Sequence, residues 1–357
     1  MTKNYESQLE ELLELVGKHN ASDLHLSVGR YPTLRIDGYL NNLTKYPILT
    51  GEATKGLINI LLSDEQKEKL SKFKEIDFSY NFKEKARFRV NIFNQRGYLS
   101  AALRFFPSKI KTIKELNLPP IVGRFASYSQ GFFLVVGPSG HGKSTTLAAL
   151  VDYINHNYTK HIITIEDPIE NIFQQDKSII GQREIGSDTR SFERALRSVF
   201  RQDPDVIMVG EMRDLETIST ALTAAETGHL VLATLHTNSA AQTIDRIIDS
   251  FPAESKNQVK TQLASTLLGV VSQRLIPRIN GGRVPAVEVM MVNPAVRNLI
   301  REGKIYQIDL VIETGIEEGM ITLNRSLADL VHKGEISLEN AEIYSLNSSD
   351  LKMLLQK

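Results

Sequence analysis

Leucines and a valine recur at helical spacing near the start of the chain. Leu9, Leu12, Leu13 and Val16 fall on one side and glutamates on the other, which predicts an amphipathic helix over residues 5–17. Beyond it the period drops to two. DLHLSV at 23–28 alternates, a run at 33–36 leads to an Asp37-Gly38 turn, and the chain from Tyr39 onward returns as the second arm of a hairpin. A helical stretch is expected at 52–73. RFRVNIF at 87–93 sets Phe88, Val90 and Ile92 on one face against Arg87, Arg89 and Asn91 on the other, and 99–106 is the strand that pairs with it. Residues 1–107 therefore form a small α+β domain.

Periodicity fades after Pro107, and Pro119-Pro120 interrupts the chain, so 108–124 is a linker. From there the pattern alternates between short apolar runs and amphipathic ones. Strands are expected at 132–136, 161–165, 206–209 and 230–234, with helices at 144–156, 190–201, 215–227 and 240–249. That alternation predicts an α/β domain over 125–357 with a mostly parallel sheet between layers of helices. Helices return at 294–302, 322–332 and 348–356, a C-terminal extension that starts near 290.

Composition narrows the chemistry. A chain of 357 residues, 41 % of them hydrophobic, is long enough for two cores. Lys plus Arg and Asp plus Glu number 42 each, so the net charge is zero and argues against nonspecific nucleic-acid binding. There is no cysteine, hence no disulfide and no thiolate metal site. The acidic residues in the first helix do not fit a signal peptide, and the longest uncharged run, 261–273, falls short of the about 18 apolar residues of a membrane span. A soluble cytoplasmic protein is expected.

One stretch carries specific chemistry. After the apolar run 132–136 come Gly137, Pro138, Ser139, Gly140, His141, Gly142, Lys143, Ser144 and Thr145, and the next residues are helical in pattern. Two glycines, Gly137 and Gly142, with four residues between them and Lys-Ser after the second, between a strand and a helix, form a P-loop. Glycines let successive backbone N–H groups wrap an anion, and the helix start adds partial positive charge. Lys143 would neutralise the β and γ phosphates of a nucleotide, and Ser144 would give its hydroxyl to Mg²⁺.

Residues at the ends of neighbouring parallel strands should answer that loop. Val206–Val209 followed by Gly210-Glu211 has the form of a Walker B strand, with Glu where Asp is commoner, and Glu211 is read as the base that takes a proton from the attacking water. The strand at 161–165 ends in Glu166, Asp167 and, three further on, Glu170; at least one of these can position water or Mg²⁺. His236 follows the strand at 230–234, where a polar group can sense the γ phosphate. His229 precedes the same strand, and a structural role is as good a reading. The histidines lack the spacing of a zinc site.

Together these segments resemble the secretion ATPase superfamily of type II and type IV systems, and within it the branch that retracts type IV pili. GPSGHGKST matches the Walker A motif, ITIEDPIE an aspartate box, DPDVIMVGEMRD an atypical Walker B and TGHLVLATLHTN a histidine box. ASDLHLSVGRYPTLRIDG near the start and RIIDSFP at 246–252 extend the likeness over nearly the whole chain. The resemblance implies a PAS-like N-terminal domain followed by a RecA-like ATPase domain, assembled as a homohexamer that binds ATP and Mg²⁺. It makes Glu211 the catalytic glutamate and Glu166 a residue that positions water or Mg²⁺, and it makes His229 and His236 parts of the coupling machinery. Arg87, Arg89, Arg96 and Arg104 are candidates to reach the nucleotide. The implied partner is a PilC-like platform protein of the inner membrane, at whose cytoplasmic face the ring would work on the pilin fibre. No nucleic acid and no zinc are expected.

Two features favour retraction over the assembly and secretion members of that superfamily. Those members usually carry a tetracysteine zinc element, and this chain has no cysteine. Ala295, Val296, Arg297, Asn298, Leu299, Ile300, Arg301 and Glu302 spell AVRNLIRE, one substitution from an element associated with retraction, with Val296, Leu299 and Ile300 expected inside and Arg297 and Arg301 outside. An assembly or secretion ATPase, and an accessory retraction paralogue with weak turnover, are the alternatives. A local departure is the Asn-Ile-Phe that follows Glu170, where Phe-Val-His is commoner.

Overall fold

The computed structural model describes residues 5–83, 86–107 and 109–356. The chain divides into two compact units, Met1–Lys109 with Pro168–Ile172, and Ile110–Asp167 with Phe173–Lys357. Residue 108, where the expected linker begins, lies outside the described residues.

The first unit opens with α1 (Tyr5–Lys18), whose Leu9, Leu12, Leu13 and Val16 are buried as the sequence pattern requires. Six strands follow, β1 (Asp23–Leu26), β2 (Thr33–Ile36), β3 (Tyr39–Asn42), β4 (Glu75–Phe82), β5 (Ala86–Gln95) and β6 (Tyr98–Pro107). They form one antiparallel sheet in the order β3-β2-β1-β6-β5-β4. Between β3 and β4 the expected helix at 52–73 is two helices, α2 (Gly51–Leu61) and α3 (Asp64–Phe73). The break has a local cause. Leu62 is extended, and Ser63 and Gln66 exchange side-chain and backbone hydrogen bonds in a capping box that starts a new helix. Phe88, Val90, Ile92 and Leu103 pack into the core of this unit. The opposite side of the sheet carries a polar row in register: Ser79, Arg89, Arg104, Asp23 and Arg35 on five adjacent strands.

The second unit begins with the short α4 (Ile121–Arg124) and continues through β7 (Gly131–Val136), α5 (Lys143–Asn157), β8 (His161–Glu166), β9 (Ile179–Glu184), α6 (Phe192–Val199), β10 (Val206–Val209), α7 (Leu215–Glu226), β11 (Leu230–Leu235) and α8 (Ala240–Asp249). Next come α9 (Lys256–Thr266), β12 (Leu267–Pro277) and β13 (Arg283–Met291), then α10 (Pro294–Glu302), α11 (Ile308–Thr314), α12 (Leu323–His332), α13 (Leu338–Tyr344) and α14 (Ser348–Leu355). The strand order is β13-β12-β7-β11-β10-β8-β9, parallel except where β13 runs against β12. β7, between β12 and β11, is buried along its whole length, which accounts for its unbroken apolar run. A separate small core joins Ile276, Val284 and Ala286 to Leu323, Leu327, Ile336, Ala341 and Leu351, and fixes the C-terminal helices onto the ends of β12 and β13.

In α10 Val296 and Ile300 are buried and Arg301 is exposed, as expected. Arg297 is not: it is half-buried, with Nη1 3.5 Å from the Ser265 carbonyl of α9. The packing of α10 on α9 brings the stem of that arginine over the neighbouring helix.

Candidate functional site

Four strand ends meet at one edge of the larger sheet. Because β7, β11, β10 and β8 lie side by side and parallel, the residues after each of them share that edge: the loop 137–142 after β7, His236 after β11, Glu211 after β10, and Glu166 at the end of β8.

The loop needs its glycines. Gly137, Gly140 and Gly142 have φ of 143°, 78° and 82°, a region that side chains disfavour. A Cβ on Gly137 would also collide with the Gln273 carbonyl. Among the described residues no protein acceptor pairs with the backbone N–H groups of Ser139, Gly140, His141 and Gly142. Four such donors beside the start of α5 fit an anion. Lys143 is 7 % exposed and curls back over the loop, where its Nζ donates to the carbonyls of Gly137 and Pro138 at 2.9 Å each. The half-buried Ser144 and exposed Thr145 follow in the first turn of α5.

His236 joins this lysine to Glu211. Lys143 Nζ lies 3.5 Å from His236 Nδ1, and His236 Nε2 lies 3.3 Å from Glu211 Oε2. An ammonium can only donate, so the network assigns the Nε2–H tautomer, with Nδ1 accepting from lysine and Nε2–H donating to the carboxylate. The other oxygen of Glu211 pairs with Arg213 at 2.6 Å. Glu211 is held in place through its neighbours. Gly210 N donates to Ile165 O at 2.8 Å, Thr234 Oγ1 donates to Gly210 O, and Met212 N donates to Thr234 O at 3.1 Å, so the backbone on both sides of Glu211 is fixed to β8 and β11.

Glu166, 7 % exposed, accepts from Thr164 Oγ1 at 2.7 Å and from Gln182 Nε2 at 3.3 Å. A Cβ on Gly210 would lie 3.3 Å from the Ile165 carbonyl oxygen, tighter than an ordinary contact, so glycine there eases the close approach of the two strand ends.

His229 is not brought to this edge. It precedes β11, and a strand of six residues carries its first and last residues to opposite edges of the sheet. There Nδ1 lies 3.0 Å from the Ala224 carbonyl at the end of α7, and the ring meets Phe200 edge-on at 5.6 Å. Among the described residues nothing at that position addresses the phosphate loop of the same chain.

The four arginines belong to the first unit. Arg87 Nη1 donates to Asn81 Oδ1 at 3.0 Å, Arg89 lies 3.8 Å from Asp77, and Arg104 Nε donates to the buried Asp23 at 3.0 Å. Arg96 stands apart from them. It sits at φ 53° beside Gly97 at 82°, in the turn between β5 and β6.

Pattern reasoning did not single out Gln273, whose buried amide accepts from Thr146 Oγ1 at 2.7 Å and donates to His141 O at 2.8 Å. It also passed over the way His141 is held. His141 Nδ1 accepts from Leu275 N at 2.9 Å, and burial, then the nearby cations Arg274, Arg283 and Lys143, lower its pKa. The imidazole is therefore kept neutral, as an acceptor must be. Gln273 is the middle of a polar triplet, Ser272-Gln273-Arg274, inside the otherwise apolar β12, and nothing in that pattern marks it apart from its neighbours.

The family described as "Type II/IV secretion system protein" matches residues 3–342. A Pseudomonas aeruginosa protein described as the type IV pilus retraction ATPase PilT is 50 % identical over 333 residues, 93 % of this chain and 96 % of its own length. A twitching motility protein of Neisseria gonorrhoeae is 47 % identical over 321 residues, 90 % of this chain and 86 % of that protein. Among solved structures, a crystal structure of the pilus retraction motor PilT with bound ADP superposes with a TM-score of 0.88 at 47 % identity, covering 96 % of this chain and 98 % of that one.

Proposed function

Because this chain belongs to the type II/IV secretion system protein family and has the fold of its ATPases, we propose that it is an ATP-hydrolysing motor that retracts type IV pili. The observation that carries the reading is the unbroken line from Lys143 through His236 to Glu211 at the edge where the phosphate loop opens. The loop N–H groups and Lys143 bind the phosphates. Glu211 takes a proton from the water whose oxygen attacks the γ phosphorus, while the bond to the ADP oxygen breaks. His236 touches the cation on the phosphate side and the base on the other, so loss of the γ phosphate reaches Glu211 through one imidazole.

Ser144, with Glu166 acting through water, would hold Mg²⁺, which when bound neutralises phosphate charge. The donor set suits a hard cation, a hydroxyl and a carboxylate beside a phosphate cradle. The proposed working form is a homohexamer at the cytoplasmic face of the inner membrane, acting on a PilC-like platform protein and through it on the pilin fibre. Arg87, Arg89, Arg96 and Arg104 are the proposed pool of cations from the first unit that answer the nucleotide. His229, beside the end of α7, is proposed for coupling rather than for the phosphate. Among the described residues no helix is long and apolar enough to cross a membrane. The sequence of α10, AVRNLIRE, supports retraction over assembly.

The test is a count of surface pili, with surface motility, in cells that lack the protein and in cells carrying Glu211→Gln. Excess pili with lost motility are expected in both. Bare cells would mean that the motor builds the fibre instead.

A further inference from the structure

β12 touches both sides of the site. Side chains alternate along a strand, so Gln273 leaves one face and Ser272 and Arg274 the other. On the first face the Gln273 amide, 3 % exposed, holds Thr146 Oγ1 and His141 O, and Leu275 N reaches the His141 ring. On the second, Ser272 Oγ donates to Asn238 O at 2.9 Å and Arg274 Nη2 to Asn238 Oδ1 at 3.3 Å, two residues beyond His236. Glu288, opposite Ser272 on β13, accepts from Ala240 N at 2.7 Å and ties down the next residues of the same segment.

We propose that Gln273 is a positioning residue for the phosphate loop, and that with Ser272 it makes β12 a brace between that loop and the segment carrying His236. The proposal rests on the ATP-hydrolysis reading above. Peptide planarity supplies its mechanism. The His141 carbonyl and the Gly142 N–H belong to one rigid unit and point in opposite directions. When Gln273 Nε2 draws the carbonyl toward β12, the Gly142 N–H turns away from β12, toward the cradle. An uncharged amide can donate to the carbonyl and accept from the Thr146 hydroxyl at once, which neither a carboxylate nor an ammonium can do. With the Thr146 hydroxyl buried and the His141 carbonyl half-buried, loss of the amide leaves a donor and an acceptor unpaired beside the cradle.

The experiment uses the full chain and measures ATP and ADP affinity by titration, steady-state kcat and KM, and melting without nucleotide. Gln273→Ala should weaken ATP binding and raise KM by about tenfold or more, the worth of a lost buried hydrogen bond. Ser272→Ala should leave ATP affinity within about twofold and lower kcat, a split that a merely structural strand would not give. Thr146→Val should reproduce part of the Gln273→Ala loss and Thr146→Ser should restore it, and this pair decides the matter if Gln273→Ala does not fold. ATP affinity within about twofold of the unsubstituted chain in Gln273→Ala, or in Thr146→Val if that is the variant available, overturns the inference alone. An unsubstituted chain that binds no ATP overturns the hydrolysis reading and this inference with it.

Discussion

The Nζ of Lys143 and the Nδ1 of His236, 93 residues apart in sequence, lie 3.5 Å from each other at the edge of the larger sheet. That spacing links the loop cation to Glu211, because the second nitrogen of the same ring reaches the carboxylate. A motion of either partner changes the hydrogen bond available to the other.

Glu211→Gln keeps the size of the side chain and an acceptor for His236 Nε2–H but removes the base. Turnover is expected to fall by about 10² to 10⁴ while ATP still binds. Near-normal hydrolysis in the purified variant would remove Glu211 from the catalytic role.

Lys143→Ala deletes a phosphate cation and also the clamp on the carbonyls of Gly137 and Pro138. Nucleotide binding itself should be lost or greatly weakened, as read by titration with ATP and ADP. Tight binding without the lysine would contradict its assignment.

The two histidines should separate. His236→Ala breaks the link between Lys143 and Glu211 and should lower kcat by at least about tenfold. His229→Ala removes a contact with Ala224 O and Phe200 at the other edge of the sheet, so ATP affinity per chain should stay unchanged. A loss of ATP affinity in His229→Ala as large as that in Lys143→Ala would place it at the phosphate after all.

Glu288 gives a pH signature. It is buried between β13 and the start of α8, and burial raises its pKa from the ordinary 4.5 to about 7, aided by Asp309 and opposed by the Ala240 N–H and Arg274. The folded chain thus holds this proton more tightly than the unfolded chain does. Stability is full below pH 4.5, falls as pH rises toward 7, and above that carries a cost on the order of 3 kcal/mol. Glu288→Gln keeps an acceptor for Ala240 N without the charge. Its melting temperature should therefore drop less than that of the unsubstituted chain between pH 5.5 and 8, and equal drops would refute the assignment.

Much of the architecture was legible because its signals are local. The helix with Leu9, Leu12, Leu13 and Val16, the strand Val206–Val209 and the helix Ala240–Asp249 each follow from spacing within a few residues. The break at Leu62-Ser63 and the strand Glu75–Phe82 were lost inside and after a long helical pattern. The start of β12 was hidden for a different reason. The chain passes from α9 into Leu267 with no glycine or proline between them, and an apolar run there fits helix or strand equally well.

The sequence by itself determined which residues are candidates for the chemistry: a phosphate loop ending in Lys143-Ser144, and a carboxylate or histidine near the end of each of three later strands. It could not decide which of them meet. Glu211 and His236 come together because the strands lie in the order β7-β11-β10-β8 and run the same way, a choice made by pairing across the sheet, whereas His229, before β11, goes to the far edge. Gln273 acquires its place for the same reason. Its partners Thr146 and His141 are more than a hundred residues away, and only the pairing of β12 with β7 sets its amide beside the loop. Period and composition act over neighbours in the chain, whereas the geometry of a site depends on hydrogen bonds between segments whose separation in sequence carries no signal.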